Sequence, residues 1–292
     1  MITRLLMSLA ALYVIGAPAS ADQGPPAPFM MPGSATHTLV SSDTGRTYPV
    51  HVALPPGYEA EDETLFPVLI ANDGPYAFPI AAQSLSVPMN TGALEPAIVV
   101  AIGYAEGDDQ MVSRMRDYTP TVDEAWSAFE LGEADAYADF IAKDVLPFLE
   151  ATYRVDPSSR TLVGHSAGAL FGSWILLNRS DLFQNYILIS SAWFWDDALM
   201  LAQEQAYAND HEDLQANVYI AVGSDERPPY SPFPWVETHD AFVQQLQGRG
   251  YQGLQLEHEV IDGALHETVF PQGLIRGAQW LLTMPADVDE SK

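Results

Sequence analysis

A chain of 292 residues with 48% apolar and 11% aromatic content carries enough material for a large core and is excluded from the disordered class. Its formal charge of −27, from 39 acidic against 12 basic residues, argues against nucleic acid or anionic lipid as partners. Cysteine is absent, which excludes a disulfide framework, a thiolate metal site and a cysteine nucleophile.

The chain opens on Met1-Ile2-Thr3-Arg4 and an apolar run from Leu5 to Gly16, then Ala19-Ser20-Ala21. A positive start, a short apolar core and an Ala-x-Ala site predict a secretory signal over residues 1–21. The core is too short to span a bilayer, so the expectation is an exported protein, periplasmic or secreted, with no membrane association after cleavage. Residues 22–35 hold Pro25, Pro26, Pro28 and Pro32 and predict an irregular arm. Thr36–Ser41 and Thr47–Leu54 predict two strands joined by the turn Ser42-Asp43-Thr44-Gly45. Phe66–Ala71 and Ala97–Ile102 are continuous apolar runs, as expected of strands covered on both faces.

A polar loop containing Arg114 and Arg116 follows. Apolar residues at helical spacing predict a helix over 133–153, kinked at Pro147. Further strands are expected at Tyr186–Ser190, Asn217–Val222 and Leu254–Ile261, and further helices at Trp235–Gln247 and Val269–Leu282. Residues 286–292 form an acidic tail. Strands alternating with helices predict an α/β fold: one domain over 36–285, with a mostly parallel central sheet and helices on both faces.

Within that pattern, Arg160-Thr161-Leu162-Val163 leads into Gly164-His165-Ser166-Ala167-Gly168, and an apolar, helix-compatible run leads out. Strand, Gly-x-Ser-x-Gly and helix make a nucleophile elbow: the strained turn lifts the Ser166 hydroxyl, and the Ala167 N–H faces the place where an oxyanion forms. A serine hydroxyl needs a base, and the base needs a partner that orients it. Of the seven histidines, only His266 lies on a loop directly after a late strand. The acid is expected after the strand ending at Val222, where Glu226 is the first choice and Asp225 the fallback. The second oxyanion donor is expected from Asp73-Gly74-Pro75-Tyr76; Pro75 has no N–H, which leaves Tyr76, the first choice, or Gly74. Trp193 and Trp195 leave the sheet at its active end and are candidate pocket walls, and Arg116 is a candidate contact for an acidic substrate group. No metal-ligand spacing or phosphate loop occurs, so no cofactor is expected.

Asp73-Gly74, Arg116-Asp117-Tyr118-Thr119-Pro120, Leu146-Pro147-Phe148 and Tyr153-Arg154-Val155-Asp156, with the elbow, Ser190–Trp195, Val222–Glu226 and Gly263-Ala264-Leu265-His266, span most of the chain. Together they resemble the branch of the α/β hydrolases that includes esterase D and the siderophore (enterobactin-type) esterases. The resemblance implies Ser166 as nucleophile, His266 as base and Glu226 as acid. Pro75, Ala169 and Ala192 depart from the family pattern. The expected activity is hydrolysis of a small-molecule carboxylic ester through an acyl-enzyme, the ester being a siderophore trilactone or a short-chain ester. The rival reading is a non-catalytic protein of the same fold that binds carbohydrate or an envelope partner.

Overall fold

The computed structural model describes residues 29–59 and 63–283. The signal at 1–21, arm residues 22–28 and the tail at 286–292 lie outside the described residues. Phe29–Pro32 belong to a separate unit and form no helix or strand. Gly33 onward is one unit, described below.

Eight strands form one sheet in the order β1-β2-β4-β3-β5-β6-β7-β8. They are β1 (Ser34–Val40), β2 (Thr47–Ala53), β3 (Phe66–Ala71), β4 (Ile98–Ile102), β5 (Val155–His165), β6 (Asn185–Ile189), β7 (Ala216–Gly223) and β8 (Leu254–Ile261). β2 runs antiparallel to β1 and β4, and the remaining pairs are parallel. Every residue of β3, β4 and β6 is buried, whereas the edge strands β1 and β8 hold mostly exposed and half-buried positions. β8 carries Glu257 and Glu259, charges that discourage a further strand from pairing.

Among the described residues the α-helices are α1 (Gly74–Asn90), α2 (Gln110–Tyr118), α3 (Ala134–Phe140), α4 (Leu146–Thr152), α5 (Ala167–Asn178), α6 (Trp195–Asp210), α7 (Trp235–Arg249) and α8 (Val269–Leu282). Glycines show how closely two of them lie on the sheet. A Cβ at Gly172 of α5 would stand 2.6 Å from Leu188, and one at Gly277 of α8 would stand 2.9 Å from Ile187. Leu188 and Ile187 are consecutive on β6 and so point to opposite faces, which puts α5 and α8 on opposite sides of the sheet.

Several expectations need correction. β1 starts at Ser34 rather than Thr36, because Ser34 and Ala35 pair with Ala53 and Val52. Helices α1, α2 and α6 stand where the sequence reading had loops or nothing. Pro75, Pro79 and Pro88 disguise α1, although a proline in the first turn loses no helical hydrogen bond, and Ala77, Phe78, Ala81, Leu85 and Met89 form its buried face. α2 is short and polar, capped by the Asp109 carboxylate, which accepts from the Met111 N–H at 2.9 Å. The kink expected at Pro147 is a π turn over Ile141–Val145 between α3 and α4, one turn ahead of the proline that cannot donate to the Lys143 carbonyl.

The elbow glycines are not equivalent. A Cβ on Gly164 would lie 2.3 Å from the Gly168 carbonyl oxygen and 2.6 Å from the Ala169 nitrogen, all fixed backbone. At Gly168 the nearest atoms are 3.3 Å away, on the side chains of Asn72 and Asp73. Gly164→Ala is therefore expected to destabilise the fold by about 2–3 kcal/mol, and Gly168→Ala by much less, read from urea unfolding midpoints.

Candidate active site

The loops after β3, β5, β7 and β8 all leave the same edge of the parallel sheet, the carboxyl end where open α/β sheets bind ligands. Ser166 follows β5, at the middle of the sheet. Its φ of 60° and ψ of −121° are strained for a residue with a side chain. Its N–H donates to the Ile189 carbonyl at 3.0 Å, which ties the turn to β6.

His266 comes from the loop after β8, and its Nδ1 lies 2.7 Å from Glu226 Oε2. Glu226 is fully buried. Its other oxygen accepts from the Ser190 hydroxyl at 2.5 Å and from the Gly223 N–H at 2.7 Å. With the carboxylate accepting from Nδ1–H, Nε2 is the nitrogen free to take a proton. Asp225 is not part of this pair: its carboxylate accepts from its neighbour Ser224 at 3.1 Å.

The N–H groups of Ala167, at the start of α5, and of Gly74, at the start of α1, have no acceptor among the described residues. Tyr76, the first choice from the sequence, is ruled out as a backbone donor because its N–H closes the first turn of α1 on the Asp73 carbonyl at 2.9 Å. Pro75 occupies the position where no donor is needed.

Asp73 and Arg114 hold these segments together. Asp73 sits at φ 58° and ψ 46°, a left-handed conformation, directly before Gly74. Arg114 Nε and a terminal nitrogen donate to the two oxygens of Asp73 at 2.7 and 3.1 Å, and the same terminal nitrogen reaches the His165 carbonyl at 3.1 Å. The Tyr104 hydroxyl donates to Asp73 at 2.8 Å. Burial opposes the charge on Arg114, but the adjoining Asp73 carboxylate outweighs it and raises the guanidinium further above its usual range. One side chain thus ties the β3–α1 corner to the elbow.

Ser166, Ala167, Glu226 and His266 border one cavity of about 320 Å³. Its walls are largely aromatic: Trp126, Phe194, Trp195, Tyr230, Phe233 and Trp235. Trp195 lies on that wall. Trp193 does not; it is 1% exposed, stacks on Phe242 at 4.4 Å and donates to Ser173 at 2.8 Å, so it belongs to the core. Arg116 is likewise not at the cavity: it is buried among Asp117 at 2.9 Å and Asp108 at 2.6 Å. Arg114, which the sequence reading left without a role, is the arginine at the cavity.

The model of a family described as "Putative esterase" matches residues 41–280. The chain is 25% identical over 268 residues to the ferri-bacillibactin esterase BesA of Bacillus subtilis, covering 87% of this chain and 91% of that protein. It is 26% identical over 211 residues to the siderophore triacetylfusarinine C esterase of Aspergillus fumigatus, covering 70% and 72% of the two. The solved BES protein from Bacillus cereus superposes with a TM-score of 0.79 at 25% identity, covering 90% of this chain and all of that one. The chain belongs to this esterase family, an α/β hydrolase that acts on ester bonds.

Proposed function

We propose that the protein is an exported serine esterase that works through an acyl-enzyme and takes an ester of the siderophore class. The observation that carries the mechanism is the Glu226–His266 pair, 2.7 Å apart, on the same cavity as a serine strained onto an elbow. His266 Nε2 takes the Ser166 proton as Oγ bonds to the ester carbonyl carbon. The Ala167 and Gly74 N–H groups receive the negative oxygen of the tetrahedral intermediate. The imidazolium then gives its proton to the leaving alcohol, and water, deprotonated by the same imidazole, releases the acid.

The two siderophore esterases among the relatives support the substrate class. A cavity of about 320 Å³ suits one arm of a trilactone rather than the whole molecule. A short-chain carboxylesterase is the second reading. Arg114 is the cavity's one lysine or arginine among the described residues and is already paired with Asp73, which favours uncharged acyl groups. Export rests on the signal reading of residues 1–21. The test is hydrolysis of a ferric trilactone beside a p-nitrophenyl ester series, followed by chromatography. Turnover of both is expected. Turnover of the short esters with an intact trilactone would remove the siderophore assignment.

A further inference from the structure

Two aromatic rings lie against the base. The Trp235 indole stacks on His266, with ring centres 4.0 Å apart and 26° between planes. The His165 ring lies 4.7 Å from it at 31°. Trp235 is itself held firmly: it is 6% exposed, its Nε1 donates to Ser231 at 3.0 Å, and Phe194 meets it edge-on at 4.7 Å. His165 is half-buried, but its Nε2 is shielded from solvent and has no hydrogen-bond partner among the described residues. Burial, the neighbouring His266 and Arg114 together push its pKa well below the usual range for histidine.

We propose that Trp235 and His165 form a two-ring clamp on His266, with Trp235 as a positioning residue that favours the imidazolium formed during acylation. This inference rests on the serine-esterase reading above. Two rings at van der Waals distance fix the plane of the imidazole while Glu226 fixes its tautomer, so Nε2 keeps one heading. When the ring takes the serine proton, its new charge faces the negative face of an indole, the strongest of the aromatic partners for a cation. The second ring must not carry a positive charge of its own, and a His165 whose pKa is pushed down, with its Nε2 out of solvent, suits that requirement. The charged and titratable groups around the pair are Glu226 after β7, Asp225 and Glu267 along the same cavity, Arg114 from α2 and Tyr76 from α1. Among these, Glu226 is the group hydrogen-bonded to the His266 ring. The clamp also links the base to the aromatic wall through Phe194 and Trp235, so material lying on that wall touches the residue that holds the base.

The experiment compares Trp235→Phe and Trp235→Leu with the wild type, after circular dichroism has established equal folding. Loss of an indole–cation contact predicts a kcat lower by on the order of tenfold in the leucine variant, with KM within about threefold, and most of kcat restored by phenylalanine. A rise in KM with kcat unchanged would make Trp235 merely a wall and overturn the proposal. A second reading needs no turnover. In the resting protein the His266 ring protons are expected upfield in proton NMR from the two neighbouring rings, moving downfield in the leucine variant. Unmoved resonances would overturn the clamp even if esterase activity were intact. An inactive protein with shifted ring protons would instead fault the serine-esterase reading and leave the clamp standing.

Discussion

Ser166→Ala is expected to lower kcat for ester hydrolysis roughly 10⁴–10⁶-fold while leaving the protein folded. The substitution removes one oxygen and keeps the Cβ, so the strain at φ 60° is the same in both proteins and the N–H bond to Ile189 survives. What disappears is the oxygen that the proposed acyl bond requires. The Ala167 and Gly74 donors and the aromatic cavity remain, and they would still bind ester and support a small residual rate over water. The measurement is single-turnover hydrolysis of a p-nitrophenyl ester, with unfolding midpoints as the control. A variant within tenfold of wild type would mean that the serine is not the nucleophile and would reopen the reading of this fold as a binding protein.

Glu226→Gln is expected to cost about 10³–10⁴ in kcat, and Asp225→Asn less than about threefold. The reason lies in which oxygen does what. Oε1 receives the Gly223 N–H and the Ser190 hydroxyl, and a backbone N–H cannot reverse its role. In the glutamine variant the carbonyl oxygen must therefore stay on that side, and the amide nitrogen must face His266. A donor facing Nδ1 forces the ring proton onto Nε2, the nitrogen that has to be bare to accept from serine. The loss comes from the wrong tautomer, so the geometry of the site would be preserved in a structure of the variant. The Asp225 carboxylate, by contrast, accepts from the hydroxyl of Ser224, and asparagine keeps that acceptor. Steady-state kinetics on the two single variants separate the neighbours; equal losses in both would contradict the assignment.

The elbow was readable in the sequence because its demands are steric and local: a glycine at 164, a small polar residue at 166 and an apolar helix behind them leave few alternatives. The continuous apolar runs of β3, β4 and β6 announced strands covered on both sides for an equally local reason. Other features depended on contacts that sequence periodicity does not carry. Glu226 rather than Asp225 is selected because its N–H turns back on the Gly223 carbonyl at 3.2 Å, which sends its side chain into the buried pocket beneath His266. Arg114 and Arg116 are two residues apart on α2, so they point to nearly opposite sides of it. With that segment read as a loop, nothing could decide which arginine faced the cavity. The Tyr76 misassignment has the same origin, since its N–H is consumed only because Gly74 already begins a helix. Trp193 and Trp195 alternate between core and cavity, and the left-handed residues Asp196, Asp197 and Ala198 that follow them mark how abruptly the chain turns there.

The most direct test is to label the purified protein with a fluorophosphonate, digest it and map the adduct by mass spectrometry. The adduct is expected on the peptide containing Ser166, in step with loss of esterase activity, and absent from Ser166→Ala. Full inactivation with the adduct on another residue, or undiminished hydrolysis with Ser166 fully labelled, would contradict the account.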